Sequence, residues 1–271
     1  MPQDYEVTRE VWESVVPVEF SLADADVTAV LAEKPQPFCA MVPRVSYFPL
    51  VTEKAKSYLK DFVKAEEIDE FWLEYNGVAL KWYYPIGVLY DLHKHDEVLP
   101  WQITVHFKNF PEDKLVRCPS LEAVESHFIQ SVKEADQLKH RGEIINSMQK
   151  REHSQLFNGL AKNRFDEFWE VNKELIKHSE TPLKFVPIRI YRPKGPFLQP
   201  LAPSMDGAGG RTLLDSLRNC VGHGTMDDCC TSEGATMVSH GVAIPWETPL
   251  LWLAENLAYP DNFVHLSWVP K

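Results

Sequence analysis

The residue of this chain best placed to do chemistry is a lysine. In the run KEADQLKH, residues 133–140, Lys133 offers a primary amine that becomes a nucleophile toward a carbonyl carbon once it sheds a proton. Spacing places it on a helix. After Cys118-Pro119-Ser120, where Ser120 suits an N-cap, apolar residues recur at Leu121, Val124, Phe128, Val132, Ala135 and Leu138. These steps of three and four make one stripe. Lys133 lies about 100° round from Val132, beside the stripe, so its ammonium can reach solvent or a partner. On spacing alone the simpler account prevails, a surface lysine paired weakly with Asp136 three residues on. Nor does spacing separate Lys133 from Lys139.

The other reactive residue types form no recognisable constellation. His93 and His95 could both bind a metal, yet they lack a third ligand and read as surface-loop histidines. Adjacent Cys229 and Cys230, near His223 and His240, have no CxxC knuckle, and a Gly-rich loop accounts for them better. The string DGAGGRT, residues 206–212, satisfies neither GxGxxG nor GxxxxGK[ST] and reads as a loose turn before a helix. No GxSxG marks a nucleophile. The expectation is a chain with no catalytic, cofactor-binding or metal-binding residues; a thiol or serine enzyme is the least supported class.

Composition narrows the partners. The 271 residues can bury two or three small cores, and Lys+Arg 28 against Asp+Glu 39 gives a net charge of -11. Lys+Arg and Asp+Glu number 12 and 20 in residues 1–118, 9 and 11 in 119–182, and 7 and 8 in 183–271, so the acidity lies at the front. That argues against nucleic-acid binding through phosphates and against a general attraction to anionic lipid. No apolar run approaches the roughly 20 residues that span a bilayer, and MPQDYEVTREVW lacks a signal-peptide core, so a cytoplasmic protein is expected. Five irregularly spaced cysteines then imply free thiols.

The elements that must position Lys133 fall into three blocks. A short helix on which Tyr5, Val11 and Trp12 share a face comes first, then strands at 16–20 and 38–42 and a helical pattern over 46–63 through Leu50, Lys54, Tyr58 and Phe62. Residues 71–75 and 78–82 flank Asn76-Gly77, a type I′ hairpin signal, and a strand at 103–107 closes the set. Residues 120–178 look all helical, with a second helix marked by Ile144, Ile145, Met148, Leu156 and Phe157 and a third by Phe165, Phe168, Trp169, Leu175 and Ile176; Glu180-Thr181-Pro182 ends the block. Strands return at 186–190 and 197–201, followed by a helix at 213–217, a strand at 237–244, a helix at 249–257 and a strand at 263–269. The second half repeats the order of the first, and Ala202 to Ala235 reads as an insertion. Periodicity gives α+β, and the order of elements is that of two β-grasp domains. Trp72, Trp82, Trp101, Trp246, Trp252 and Trp268 lie in or beside sheet segments, most as core, the rest as walls of a groove.

These segments together resemble the autophagy protein 5 family. The matching runs are PRVSY (43–47), LKWYYPIGVLYDL (80–92), LPWQITVHFKNFP (99–111), KEADQLKH, INSMQKREH (145–153), RFDEFW (164–169) and ETPLLWLAENLAYPDNFVHLSWVP (247–270). The resemblance implies an N-terminal helix (1–14), a first ubiquitin-like domain (15–112), a helix-rich domain (119–182) and a second ubiquitin-like domain (183–271). It implies that Lys133 receives autophagy protein 12 in an isopeptide bond, and that a helix of autophagy protein 16 docks in a groove of all three domains. The complex would act like an E3 ligase through the lipid-conjugating enzyme of autophagy protein 8. It would promote lipidation of autophagy protein 8 with phosphatidylethanolamine on the phagophore membrane, where the protein would be peripheral. From a different class comes the alternative of a non-covalent ubiquitin-like binding module that recruits a helical partner.

Overall fold

The computed structural model describes residues 5–28, 34–94, 98–176, 183–206, 209–216 and 235–270. The expected helix at 249–257 and closing strand lie among them, whereas Cys220, His223, Cys229, Cys230, His95, Leu217 and the Glu180-Thr181-Pro182 stop lie outside the described residues.

The first domain is a five-stranded sheet in the order β2-β1-β5-β3-β4, with β1 Val15–Leu22, β2 Phe38–Pro43, β3 Trp72–Tyr75, β4 Val78–Ala79 and β5 Trp101–His106. Alternation along β1 sends Val16, Val18, Phe20 and Leu22 into the core. β5 returns parallel to β1, Phe20 opposite Ile103, while the hairpin pairs are antiparallel. Asn76 and Gly77 take φ of 48° and 79°, as the hairpin signal required.

The single helix expected over 46–63 is two helices, α2 Phe48–Val51 and α3 Glu53–Lys60. Thr52 divides them, its hydroxyl donating to the Phe48 carbonyl at 2.8 Å. The buried face is Phe48, Ala55 and Leu59; Tyr58, placed by spacing on the inner face, is exposed. One further helix was not expected. Ile86–His93, α4, is apolar nearly all round and buries Ile86, Val88, Leu89, Asp91 and Leu92 between the sheets of the two ubiquitin-like domains. His93 therefore ends a helix rather than sitting in a loop.

The second domain reproduces this topology. Its four-stranded sheet runs β12-β11-β13-β7, with β7 Ile188–Tyr191, β11 Ala235–Ser239, β12 Val242–Ala243 and β13 Val264–Pro270; β6 Phe185–Val186, separated from β7 at Pro187, lies outside that sheet. β13 is parallel to β7, as β5 is to β1. The strand expected at 237–244 is a hairpin that turns at His240 (φ 52°) and Gly241 (φ 82°). In place of a strand at 197–201, Leu198 makes an isolated bridge to Ile190, and β8 Ala202–Pro203 pairs with β6. Within DGAGGRT, β9 Met205–Asp206 pairs with β10 Gly209–Gly210, Gly207 and Ala208 lie outside the described residues, and the Thr212 hydroxyl and N–H both donate to Asp215, opening the helical turn expected next.

Between the domains lie α5 Leu121–His140, α6 Glu143–Ser147, α7 Lys150–Ala161 and α8 Phe165–Ile176. The expected second helix is broken into α6 and α7 by a capping box between Gln149 and Glu152. The first helix, α1 Tyr5–Glu13, docks on α8 through Trp12, whose ring centre is 4.8 Å from that of Phe168. The helical bundle and the first sheet share one core; the second sheet has its own.

Candidate functional site

Helix α5 presents Lys133. Val124, Phe128, Val132 and Ala135 are fully buried, as the stripe predicts, but the stripe is shorter than expected: Leu121 is exposed and Leu138 half-buried. Ser120 takes the N-cap position with an extended backbone, yet its hydroxyl bonds to the Glu122 carboxylate rather than to a helix N–H. Lys133 is exposed.

The simple pairing of Lys133 with Asp136 is absent. Asp136 is wholly buried, accepting from the Ile145 N–H at 3.0 Å and lying 2.8 Å from His140 Nδ1. Burial acts to raise its pKa, but the His140 and Ile145 bonds outweigh it and hold the carboxyl below the usual range. The Arg141 and Gly142 N–H groups cap the helix on the Asp136 carbonyl, with both residues at positive φ. Lys133 makes no hydrogen bond or ion pair to any of the described residues, so its amine is uncommitted.

Lys139 is the opposite case. It is buried, and its Nζ donates to the Leu175 carbonyl at 2.6 Å and to Asn262 Oδ1 at 2.7 Å. Asn262 passes the connection on through its own Nδ2 to Asn172 Oδ1 at 2.7 Å. Burial pulls the Lys139 ammonium down to about 7, against the opposing pull of Asp136 and Asp261. Geometry thus separates two lysines that spacing could not: one is structural, the other free.

A second clamp grips α5 beside Lys133. Arg189, on β7, donates to Ser131 Oγ at 3.3 Å and to Glu134 Oε2 at 2.8 Å, and lies 3.7 Å from Asp261 Oδ2. Its guanidinium stands 3.8 Å from the ring centre of Phe263. Asp261 also accepts from His265 Nε2 at 2.9 Å, so the neutral ring turns Nδ1 to the Tyr191 hydroxyl at 2.7 Å. Burial lowers the His265 pKa further than Asp261 restores it. A third joint holds the two ubiquitin-like domains together. The buried Arg44 side chain bonds Asp91 of α4, whose other oxygen accepts the Gly241 N–H at 3.0 Å from the second domain's hairpin.

Sequence reasoning missed Arg189, Asp261 and Asn262 as the supports of α5; the last two are the DN of PDNF within a matched run, and Arg189 lies in no matched run. Among the described residues no group of three or more His, Cys, Asp or Glu is arranged to hold a metal. His240 is half-buried instead, stacked 4.0 Å over Tyr259, with its pKa driven by desolvation to about 3. Cys39 and Cys118 are free thiols. Trp101 and Trp268 are core, whereas Trp72, Trp82, Trp246 and Trp252 are half-buried.

Comparison with known proteins decides the family. Three domain descriptions match in order: "Autophagy protein ATG5, UblA domain" over residues 11–107, "alpha-helical bundle region" over 121–178 and "UblB domain" over 185–267. Autophagy protein 5 of Drosophila melanogaster is 41% identical over 280 residues, covering 98% of each chain. The chain belongs to the autophagy protein 5 family. Autophagy-related protein 5 of Caenorhabditis elegans is 36% identical over 97% of each chain. The crystal structure of Kluyveromyces marxianus Atg5 superposes with a TM-score of 0.81 over 98% of this chain at 20% identity, so the family fold is shared where sequence has drifted. The two ubiquitin-like domains flanking a helical bundle are those of this autophagy protein 5 family member, and its role lies in autophagy.

Proposed function

We propose that the protein is a scaffold of the autophagy conjugation machinery, modified on Lys133 by autophagy protein 12. In this reading the neutral Lys133 amine attacks the carbonyl carbon of the thioester that joins the C-terminal glycine of autophagy protein 12 to a conjugating enzyme. The carbon–sulfur bond breaks, the enzyme's cysteine leaves as thiolate, and the new amide nitrogen gives up a proton to solvent. The scaffold itself needs no active site, because activation belongs to the enzyme.

The observation that carries the reading is the contrast along α5. Lys133 is exposed and unpaired on a helix fixed by Arg189 on one side and Lys139 on the other. An amine so placed can enter another protein's active site without disturbing the fold. The assembled conjugate, with a helix of autophagy protein 16 in a groove of the three domains, acts as an E3-like complex. It promotes transfer of autophagy protein 8 from its lipid-conjugating enzyme to phosphatidylethanolamine. The protein then works in the cytoplasm and peripherally at the phagophore; no helix among the described residues is long and apolar enough to cross a membrane.

The test is Lys133→Arg, which keeps the charge and removes the acceptor amine. On a denaturing gel from starved cells, the higher-mass conjugate and lipidated autophagy protein 8 should vanish together while the protein stays abundant. If both persist, non-covalent recruitment of a helical partner, or another lysine, replaces this reading.

A further inference from the structure

A cleft of about 220 Å³ lies between the first ubiquitin-like domain and the first turn of α5, with Phe48, Leu73, Leu80, Trp82 and Leu115 in its lining. It exceeds the roughly 150 Å³ apolar cavity that accepts benzene, so one leucine or phenylalanine side chain fits. Its walls are fastened. Trp82 Nε1 donates to the Val116 carbonyl at 2.7 Å and Trp72 Nε1 to that of Lys108 at 2.9 Å. Arg117 ties the segment after β5 to Asp69 at 3.0 Å, Glu70 at 3.1 Å and Glu112 at 2.7 Å. The cleft is thus pre-formed, as a binding site must be to avoid an ordering cost.

Apolar surface continues beyond it. Leu121, in the lining, is 56% exposed, and Val116, whose carbonyl holds Trp82, is 62% exposed. The charges of the wall are unequally satisfied. Glu70 is engaged by Arg117 and by the Cys118 N–H at 3.3 Å. Glu53 sits in the first turn of α3, where the helix dipole favours an anion. Lys56, in the middle of that helix, places its Nζ 5.8 Å from the Phe71 ring centre and has no carboxylate partner among the described residues.

We propose that this cleft docks a short peptide segment of a partner protein, inserting a leucine- or phenylalanine-sized side chain while an adjacent carboxylate meets Lys56. The site is distinct from the attachment point, since Leu121 and Lys133 stand about 18 Å apart along α5. It stands whether or not Lys133 is modified.

Cys118 in the wall provides the assay. Burial raises its thiol pKa, so disulfide exchange without a non-covalent contact is slow. The full chain, with its other four cysteines replaced by serine, is equilibrated in 2-mercaptoethanol with mixed disulfides of acetyl-Cys-Gly-Leu-Glu-amide and its Leu→Ser and Glu→Lys versions. Capture is read by intact mass. The Leu-Glu peptide should be captured about tenfold more than the Ser-Glu peptide. Lys56→Glu should reverse a roughly threefold preference for the Glu over the Lys peptide. Leu121→Glu should lower capture while leaving the circular dichroism and urea midpoint unchanged. Equal capture of the Leu and Ser peptides, or indifference to Lys56→Glu, overturns the proposal. So does stronger capture of an octanoyl disulfide, which would assign the cleft to an acyl chain, or a dimer abolished by Leu121→Glu, which would assign it to a second copy.

Discussion

The Nζ of Lys139 lies 2.7 Å from Oδ1 of Asn262, joining the helix that bears Lys133 to the turn before the closing strand of the second ubiquitin-like domain. The ammonium has traded its hydration for two acceptors, and burial has brought its pKa from 10.5 to about 7. Between those values the unfolded chain binds a proton that the folded chain does not, so this group's contribution to stability grows as pH rises from 7 toward 10. Urea midpoints of the wild type should therefore climb relative to Lys139→Met between pH 7 and 9.5. Parallel profiles would mean that Lys139 titrates alike in both states.

Arg189 should matter more than its partner beside Lys133. Arg189→Ala leaves Asp261, buried and hydrogen-bonded by the neutral His265 ring, without its neighbouring cation, and an uncompensated buried charge typically costs about 3 kcal/mol. Glu134 is 43% exposed, so Glu134→Gln should cost under about 1 kcal/mol. Chemical denaturation of both variants at pH 7 checks the order. Equal losses would place the strength of the clamp at its exposed edge.

Where α7 and α8 cross, Gly159 allows backbone contact. A Cβ there would stand 2.8 Å from the backbone nitrogen and Cβ of Phe168. Because backbone must move to relieve this, Gly159→Ala should cost about 3 kcal/mol. Gly77→Ala meets nothing within 4 Å and suffers only from its φ of +79°, so about 1 kcal/mol is expected. Thermal melts of the two variants should show the larger drop for Gly159→Ala; the reverse order would show that the α7–α8 crossing yields easily.

Lys133→Arg should leave the fold untouched, because the side chain is exposed and makes no bond among the described residues. A melting midpoint within about 1 °C of the wild type is expected, from the near-zero cost of exposed substitutions. A larger fall would give Lys133 a structural role and complicate its use as an attachment probe.

Much of this was legible because each local signal agreed with the fold. Alternation in β1, the Asn76-Gly77 turn and the α5 stripe all describe one-sided burial, which a pattern of polar and apolar residues records directly. Helix α4 was not legible for the complementary reason: buried between two sheets, IGVLYDLH has no polar face to set a period. The 46–63 segment misled because Thr52 breaks the helix through a side-chain bond, which turns the buried face from Leu50 and Tyr58 to Ala55 and Leu59. At the site, exposure of Lys133 followed from spacing. The burial of Lys139 and Asp136 did not, since both depend on residues distant in sequence that come to lie against α5.

The bond between Lys139 and Asn262 spans 123 positions. At roughly 5–20 residues per second of synthesis, about 6 to 25 s separate the emergence of its two ends. During that interval Lys139 lacks its Asn262 acceptor, Arg189 lacks Asp261, and α5 rests on the first domain and the bundle alone. The surface carrying Lys133 therefore takes its final form late in the life of a nascent chain. Until then Lys139 has only the Leu175 carbonyl of the bundle as a partner, and the contrast between the two lysines of KEADQLKH is completed only when the turn before the last strand arrives.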